Sequence, residues 1–107
     1  MSTIKKPIHL STRDELDQLL EDEERVLVDF YTEGCPICQS IEPVMGIVAR
    51  ETDAAVAMFN PRESVGAIEE FNIQSVPTLI LFEDGEQVDR LAEGFQGADA
   101  VLSFVNQ

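Results

Sequence analysis

Residues 26–38 read Val26-Leu27-Val28-Asp29-Phe30-Tyr31-Thr32-Glu33-Gly34-Cys35-Pro36-Ile37-Cys38. The first six are apolar, aromatic or β-branched apart from one aspartate, which is typical of a strand buried on both faces. From Cys35 onward, apolar residues recur at helical spacing, so a helix is predicted from Cys35 to about Thr52, kinked near Pro43. The stretch therefore predicts a strand, a short loop and a helix that begins at a pair of cysteines.

The residues before this stretch predict one short strand and one helix. Ile8 to Leu10 is a brief apolar run that favours a strand. Thr12 followed three residues later by Glu15 is a capping-box signature, so we expect a helix from about Arg13 to Glu23. Its leucines form a narrow apolar stripe that can pack on a sheet.

The residues after the stretch predict three strands and two helices. The expected strands are Ala54 to Phe59, Pro77 to Phe82 and Gln87 to Ala92. The expected last helix is Ala98 to Val105. Asn60 as a cap and Pro61 at the first position predict a helix after the first of these strands. Its expected buried side comprises Val65, Ala67, Ile68 and Phe71. Asp84-Gly85 predicts a tight hairpin turn.

This order of elements predicts an α/β fold, with a central mixed sheet of four to five strands flanked by four helices. Helical crossovers make the early strands parallel, whereas the hairpin at Asp84-Gly85 makes the last two antiparallel. The chain has no internal repeat and no linker-like segment, so residues 1–107 are predicted to form a single domain.

The composition is strongly acidic. Twenty-one acidic residues against seven basic ones give a net charge of −14, which makes nucleic acid an unexpected partner. Such self-repulsion opposes the compact state in dilute buffer but is screened in strong salt, where the Debye length is about 3 Å at 1 M. The charge and the use of only two lysines favour a salt-rich cytoplasm, the alternative being an ordinary acidic protein.

Localisation follows from the apolar segments. None approaches the length of a membrane span, and the lysines near the start are not followed by the apolar segment of a secretory signal. We therefore expect a cytoplasmic protein that does not associate with membranes.

The cysteine pair carries the predicted chemistry. Cys35 opens a helix, where free backbone N–H groups and the helix dipole favour a thiolate, so it is the candidate nucleophile. Cys38 lies one turn further in and is expected to be more shielded, which suits a resolving thiol. Zinc is the competing explanation, but a structural site needs four ligands and the one other soft ligand, His9, is far upstream.

Asp29 is unusual because it interrupts an otherwise apolar strand. A buried carboxyl group is costly unless it is protonated or paired, so burial is expected to raise its pKa. Such an acid could take the proton of Cys38 when that thiol attacks. The alternative is a structural aspartate that hydrogen-bonds a nearby backbone group.

Pro77 opens an otherwise buried strand, which is an unusual place for proline. The Val76–Pro77 bond could be cis or trans on this ground, although base rates favour trans.

Together these residues resemble the thioredoxin family from about Ser11 to Gln107. The matching features are the Asp29 strand, both cysteines, Pro43, Val76-Pro77-Thr78 with the apolar run to Phe82, Asp84-Gly85 and Gly94. The spacing between these features is also similar to that of the family. The resemblance implies a thioredoxin fold and thiol–disulfide exchange through Cys35 and Cys38.

The resemblance further implies particular site residues. Val76–Pro77 would be cis and lie beside the cysteines, with Pro77 part of the catalytic site and the Val76 backbone pairing with an extended substrate. Asp29 would serve the inner cysteine. The implied borders of the substrate groove are Gly34, Pro36, Ile37, Val76 and Gly94. No cofactor or metal would be needed beyond the redox-active disulfide, and the implied reductant is a thioredoxin reductase or a similar system.

Three departures from the family pattern stand near the site. Pro36-Ile37 replaces the usual Gly-Pro between the cysteines, and the sequence suggests a reducing or intermediate potential. Tyr31 and Gly34 stand where tryptophans are common. Met58 stands where many members have a lysine near the buried acid, which removes a positive charge that would help to keep Asp29 ionised.

The function hypotheses belong to two classes, and within the first an oxidase or isomerase differs from a reductase only in its potential. The first is a monomeric protein disulfide reductase, in which Cys35 attacks a disulfide of a protein substrate and Cys38 resolves the mixed disulfide. The second is a binding or metal-handling module that keeps the fold without redox turnover.

Overall fold

The computed structural model describes residues 5–107, so that residues 1–4 of the predicted domain lie outside it. Within the described range, the strands are β1 (Ile8–Leu10), β2 (Arg25–Phe30), β3 (Ala55–Phe59), β4 (Thr78–Glu83) and β5 (Glu86–Leu91). The helices are α1 (Arg13–Asp22), α2 (Pro36–Glu51), α3 (Ala67–Glu70) and α4 (Ala98–Val105), with a 3-10 turn at Pro61–Glu63. The predicted bounds are within one residue of these except around α3.

The five strands form one mixed sheet in the order β1-β3-β2-β4-β5. β3 pairs in parallel with both β1 and β2, whereas β4 is antiparallel to both β2 and β5. The predicted pairing directions are confirmed. The parallel strands β2 and β3 end at the same edge of the sheet, with Phe30 opposite Phe59, and this edge carries the cysteines.

Two apolar cores lie on opposite faces of this sheet. One contains Val26, Val28 and Phe30 of β2 together with residues of α1 and α3. The other contains Leu27 of β2 together with residues of α2 and α4. Because side chains alternate along a strand, Asp29 shares the face of Leu27, so the carboxyl group points toward the side of the sheet that α2 covers.

Local start and turn signals explain most of the element boundaries. The Glu15 backbone N–H donates to Thr12 Oγ1 at 3.1 Å, and the Thr12 N–H donates to Glu15 Oε1 at 3.2 Å, which confirms the capping box. Asp84 and Gly85 have φ values of 52° and 83°, as a tight hairpin turn between β4 and β5 requires.

The helix predicted after Pro61 is wrong in its extent and in its buried face. Asn60 accepts a hydrogen bond from the Arg62 backbone N–H, but it caps only a 3-10 turn. The turn ends at Ser64, whose backbone is extended, and Gly66 with φ 82° is the N-cap of the separate helix α3. Ala67 and Phe71 are buried as expected, whereas Val65 and Ile68 are exposed.

Candidate active site

The two cysteines lie at the start of α2, where the sequence places them. Cys35 is the N-cap residue, and the backbone N–H of Cys38 donates to its Sγ at 3.2 Å. The two sulfurs are bonded, with their Cα atoms 5.2 Å apart. Cys35 is half-buried, whereas Cys38 is only 3 % exposed, so an incoming disulfide has access to the first sulfur and not to the second.

The residues around Cys35 favour this helix start. Gly34 has φ 77°, a conformation that residues with a side chain rarely adopt, and it turns the chain from the loop into the helix. Pro36 occupies the first helical position. A backbone N–H at this position has no intrahelical acceptor, so proline loses no hydrogen bond there. The helix continues through Pro43 to Glu51.

The Val76–Pro77 peptide bond is cis, as the resemblance implies and against the base rate for proline. Pro77 is buried and Val76 is half-buried. The carbonyl oxygen of Val76 lies 4.0 Å from Cys35 Sγ, although the two residues are 41 positions apart in the chain. The fold therefore brings the predicted Pro77 segment into contact with the nucleophile.

Asp29 is completely buried and has no hydrogen-bond partner for either carboxyl oxygen among the described residues. The alternative of a structural aspartate bonded to the backbone is therefore wrong. Its neighbours across the sheet are Met58 on β3 and Leu79 on β4, neither of which is charged. Burial, followed by the negative charge of Glu42 on α2, raises the pKa of Asp29 to about 7.

The predicted groove residues surround this edge of the sheet. Gly34, Pro36 and Ile37 adjoin the cysteines, and Ile37 is 46 % exposed. Leu91, the last residue of β5, is paired with Leu79, and Gly94 follows three residues later. Gly94 is half-buried with φ 79°. The role of these residues in substrate binding stays a prediction.

Two exposed residues, Arg62 and Phe95, were not singled out from the sequence. Arg62 comes three residues after the end of β3. Because the parallel strands β2 and β3 end at the same edge of the sheet, a residue that follows β3 could have been expected near Cys35, which follows β2. Phe95 follows Gly94 and is 53 % exposed. Phe95 could have been noticed in the sequence because it is an aromatic residue directly after Gly94, a predicted groove residue.

Two further properties concern metals and membranes. Among residues 5–107, no group of three or more His, Cys, Asp or Glu side chains is arranged to hold a metal ion. In the same part of the chain, no helix has both the length and the apolar character needed to cross a bilayer.

Comparison with known proteins decides the family. The thioredoxin family model matches residues 7–107. The chain belongs to the thioredoxin family. It is 34 % identical over 83 residues to a thioredoxin of Chlamydia caviae, covering 77 % of this chain and 80 % of the relative. It is 33 % identical over 92 residues to a thioredoxin of Rickettsia conorii, covering 84 % and 87 %.

Solved thioredoxins share the same architecture. A mutant thioredoxin from Halobacterium salinarum superposes with a TM-score of 0.90 at 36 % identity, covering 99 % of this chain and 93 % of that one. The expected thioredoxin fold is confirmed. Membership of the thioredoxin family and the bonded Cys35–Cys38 pair identify a thiol–disulfide oxidoreductase that reduces protein disulfides through this dithiol.

Proposed function

We propose that Cys35 is the attacking thiolate of a cytoplasmic disulfide reductase, that Cys38 is its resolving thiol and that Asp29 is the proton acceptor of Cys38. The observation that carries the assignment is the unequal access to the two sulfurs, since Cys35 is half-buried and Cys38 is 3 % exposed. Cys35 is also the N-cap of α2, where the helix dipole stabilises a thiolate.

The reaction proceeds in two exchanges. The Cys35 thiolate attacks one sulfur of a substrate disulfide, forms a mixed disulfide and expels the other substrate sulfur as a thiolate. Cys38 then attacks Cys35 Sγ, which forms the Cys35–Cys38 disulfide and releases the second substrate thiolate. Two electrons and two protons pass to the substrate, and no further cofactor or metal enters the balance.

Asp29 suits the second exchange because of its surroundings. It lies on the face of the sheet that α2 covers, with no hydrogen-bond partner among residues 5–107 and a pKa raised to about 7. A group with a pKa near the ambient pH can both accept a proton from Cys38 and return it when the disulfide is reduced. The contact between Val76 and Cys35 supports positioning of an extended substrate by Val76 and Pro77.

The surroundings in the cell form part of the proposal. The physiological substrates are disulfide-containing proteins, the reductant is a thioredoxin reductase or a similar system, and the chain acts as a monomer of reducing or intermediate potential. The net charge of −14 and the similarity to a thioredoxin of a halophilic archaeon support activity in concentrated salt.

The test is reduction of insulin by dithiothreitol with the wild type, Cys35→Ser and Cys38→Ser, in low salt and in molar KCl. Both variants are expected to lose catalysed turnover. Cys38→Ser alone is expected to accumulate a mixed disulfide with the substrate, because its attacking thiol remains. Wild-type turnover is expected to rise with salt.

Two results would contradict these assignments. A folded wild type without turnover at any salt concentration would overturn the reductase function. A mixed disulfide that forms in Cys35→Ser and not in Cys38→Ser would reverse the roles of the two thiols.

A further inference from the structure

A small cavity of about 150 Å³ lies among the segments that follow β2 and β3 and the segment that precedes β4. Val76 forms part of its lining, and the carbonyl oxygen of this residue is 4.0 Å from Cys35 Sγ. Ile68 and Ile73 contribute apolar surface to the lining. An extended chain rises about 3.3 Å per residue, so a side chain held here belongs to a residue close in sequence to the substrate cysteine that Cys35 attacks.

Arg62 is the one charged residue among those that line this cavity. It is exposed, and within residues 5–107 its side chain has neither an ion-pair partner nor a hydrogen bond. Arg13 and Arg25, in contrast, are paired with carboxylates. The Arg62 backbone N–H donates to Asn60 Oδ1 at 3.0 Å, which holds the main chain in place while the guanidinium remains available.

We propose that this cavity is a specificity subsite for disulfide substrates with an aspartate or glutamate within about two residues of the target cysteine, and that Arg62 binds that carboxylate. The proposal rests on the oxidoreductase function of Cys35 and Cys38. A guanidinium presents its donors in a planar fork that matches a carboxylate, while Ile68 and Ile73 can cover the methylene groups of a glutamate side chain.

The acidic surroundings make this pairing depend on direct contact. Glu33 and Glu63 are exposed, and each directly follows a cavity residue in the chain, Thr32 and Arg62. Their negative charges repel an acidic substrate at a distance. At 1 M salt the Debye length is about 3 Å, so long-range repulsion is screened far more than a contact between Arg62 and a carboxylate. The preference for acidic substrates is therefore expected to persist in molar salt.

The test uses disulfide-linked homodimers of two blocked heptapeptides, Ala-Glu-Ala-Cys-Ala-Glu-Ala and the same peptide with glutamine for both glutamates. The reduced protein converts each dimer to two thiols and becomes the Cys35–Cys38 disulfide. Both dimers compete in one mixture, and the released thiols are alkylated and separated. The quantity compared among proteins is the ratio of the two second-order rate constants, acidic over amide, which cancels the intrinsic reactivity of the peptides.

Arg62→Gln is expected to lower this ratio about twofold to fivefold, as an ion pair at an exposed arginine implies, and Arg62→Lys is expected to lower it less. Arg50→Gln is the matched control: it removes the same charge from an exposed arginine in the last turn of α2, at the end opposite Cys35, and is expected to leave the ratio unchanged.

Two outcomes overturn the proposal. In one, the ratio is the same in the wild type and Arg62→Gln, and in the other, Arg50→Gln lowers it equally and so reveals only a long-range charge effect. Reduction of the amide dimer by the wild type separates this failure from failure of the oxidoreductase function. Absence of that reaction would refute the function itself.

Discussion

The two faces of β2 differ in the kind of residue that they bury next to each other at the end of the strand. On one face Phe30 is completely buried, with its ring centroid 6.0 Å from that of Phe59 and 5.1 Å from that of Phe71. On the other face the adjacent residue, Asp29, is equally buried without a hydrogen-bond partner among the described residues. Both faces carry an apolar core, but the core on the second face includes a destabilising carboxyl group next to the helix that carries the cysteines.

Replacement of Phe30 is expected to have the largest effect on stability and little effect on chemistry. Phe30→Ala should lower the free energy of unfolding by about 3–5 kcal/mol, because it opens a cavity in the aromatic core. The rate at which the folded variant reduces a peptide disulfide should stay within a factor of about two. Chemical denaturation and stopped-flow thiol exchange measure the two quantities.

Phe30→Leu serves as the milder control if the alanine variant does not fold. It keeps an apolar side chain and should show the same separation of stability from reactivity at a smaller energetic cost. A fall in thiol reactivity that tracks the loss of stability in both variants would show that the two faces are not independent.

Replacement of Asp29 is expected to have the opposite pattern. Asp29→Asn should raise the free energy of unfolding above pH 7 by roughly 4 kcal/mol at most, since each unit of pKa shift corresponds to about 1.4 kcal/mol. Resolution of the mixed disulfide by Cys38 should slow on the order of a hundredfold, because a positioned proton acceptor is lost.

The pH dependence has a definite sign. The pKa of Asp29 rises from its ordinary value of 3.8 to about 7 in the folded protein, so folding favours the protonated form. The contribution of Asp29 to the free energy of unfolding therefore falls as the pH rises from about 4 to about 7 and is constant above that range. Unfolding at several pH values in constant high salt measures it as the difference between wild type and Asp29→Asn.

Asp53→Asn is the matched control because it removes the same charge from an exposed side chain. The difference in the free energy of unfolding between Asp53→Asn and the wild type should show no comparable change between pH 4 and 7. If the difference in the free energy of unfolding between Asp29→Asn and the wild type also did not change with pH, Asp29 would not be buried as a protonated acid.

The smallest expected effect is that of Glu42→Gln on α2. Removal of this negative charge should lower the pKa of Asp29, but by less than burial raises it, since burial is the larger of the two causes. The carboxyl carbon of Asp29, followed by NMR through a pH titration, reports the midpoint directly. An unchanged or higher midpoint would exclude Glu42 as a source of the shift.

Much of the fold was predictable because its signals are local. The Thr12–Glu15 capping box, the Asp84-Gly85 turn and the apolar run of β2 each act over a few residues, and each is confirmed. The segment from Val65 to Ile68 was not predicted correctly. Asn60 and Pro61 start a helical turn, but the extended backbone of Ser64 ends it, and α3 begins separately after Gly66, so that Val65 and Ile68 stay exposed.

The site was predictable in part for the same reason. Helical spacing placed Cys35 at the N-cap of α2 and Cys38 one turn inside, and the resemblance to the thioredoxin family placed Val76–Pro77 beside them. Arg62 was missed because its importance depends on a cavity assembled from separate loops. No periodic pattern in the sequence marks such a cavity.

The sequence by itself determined the order of the elements, the pairing of two thiols at a helix start and the excess of acidic charge, since these depend on neighbours in the chain or on composition alone. Tertiary structure decided three other properties: the contact of Val76 with Cys35 across 41 positions, the isolation of Asp29 and the availability of Arg62. The burial of a polar group, and whether it has a hydrogen-bond or ion-pair partner, depend on all the elements that pack around it. They therefore exist only once β2, β3, β4 and α2 have come together.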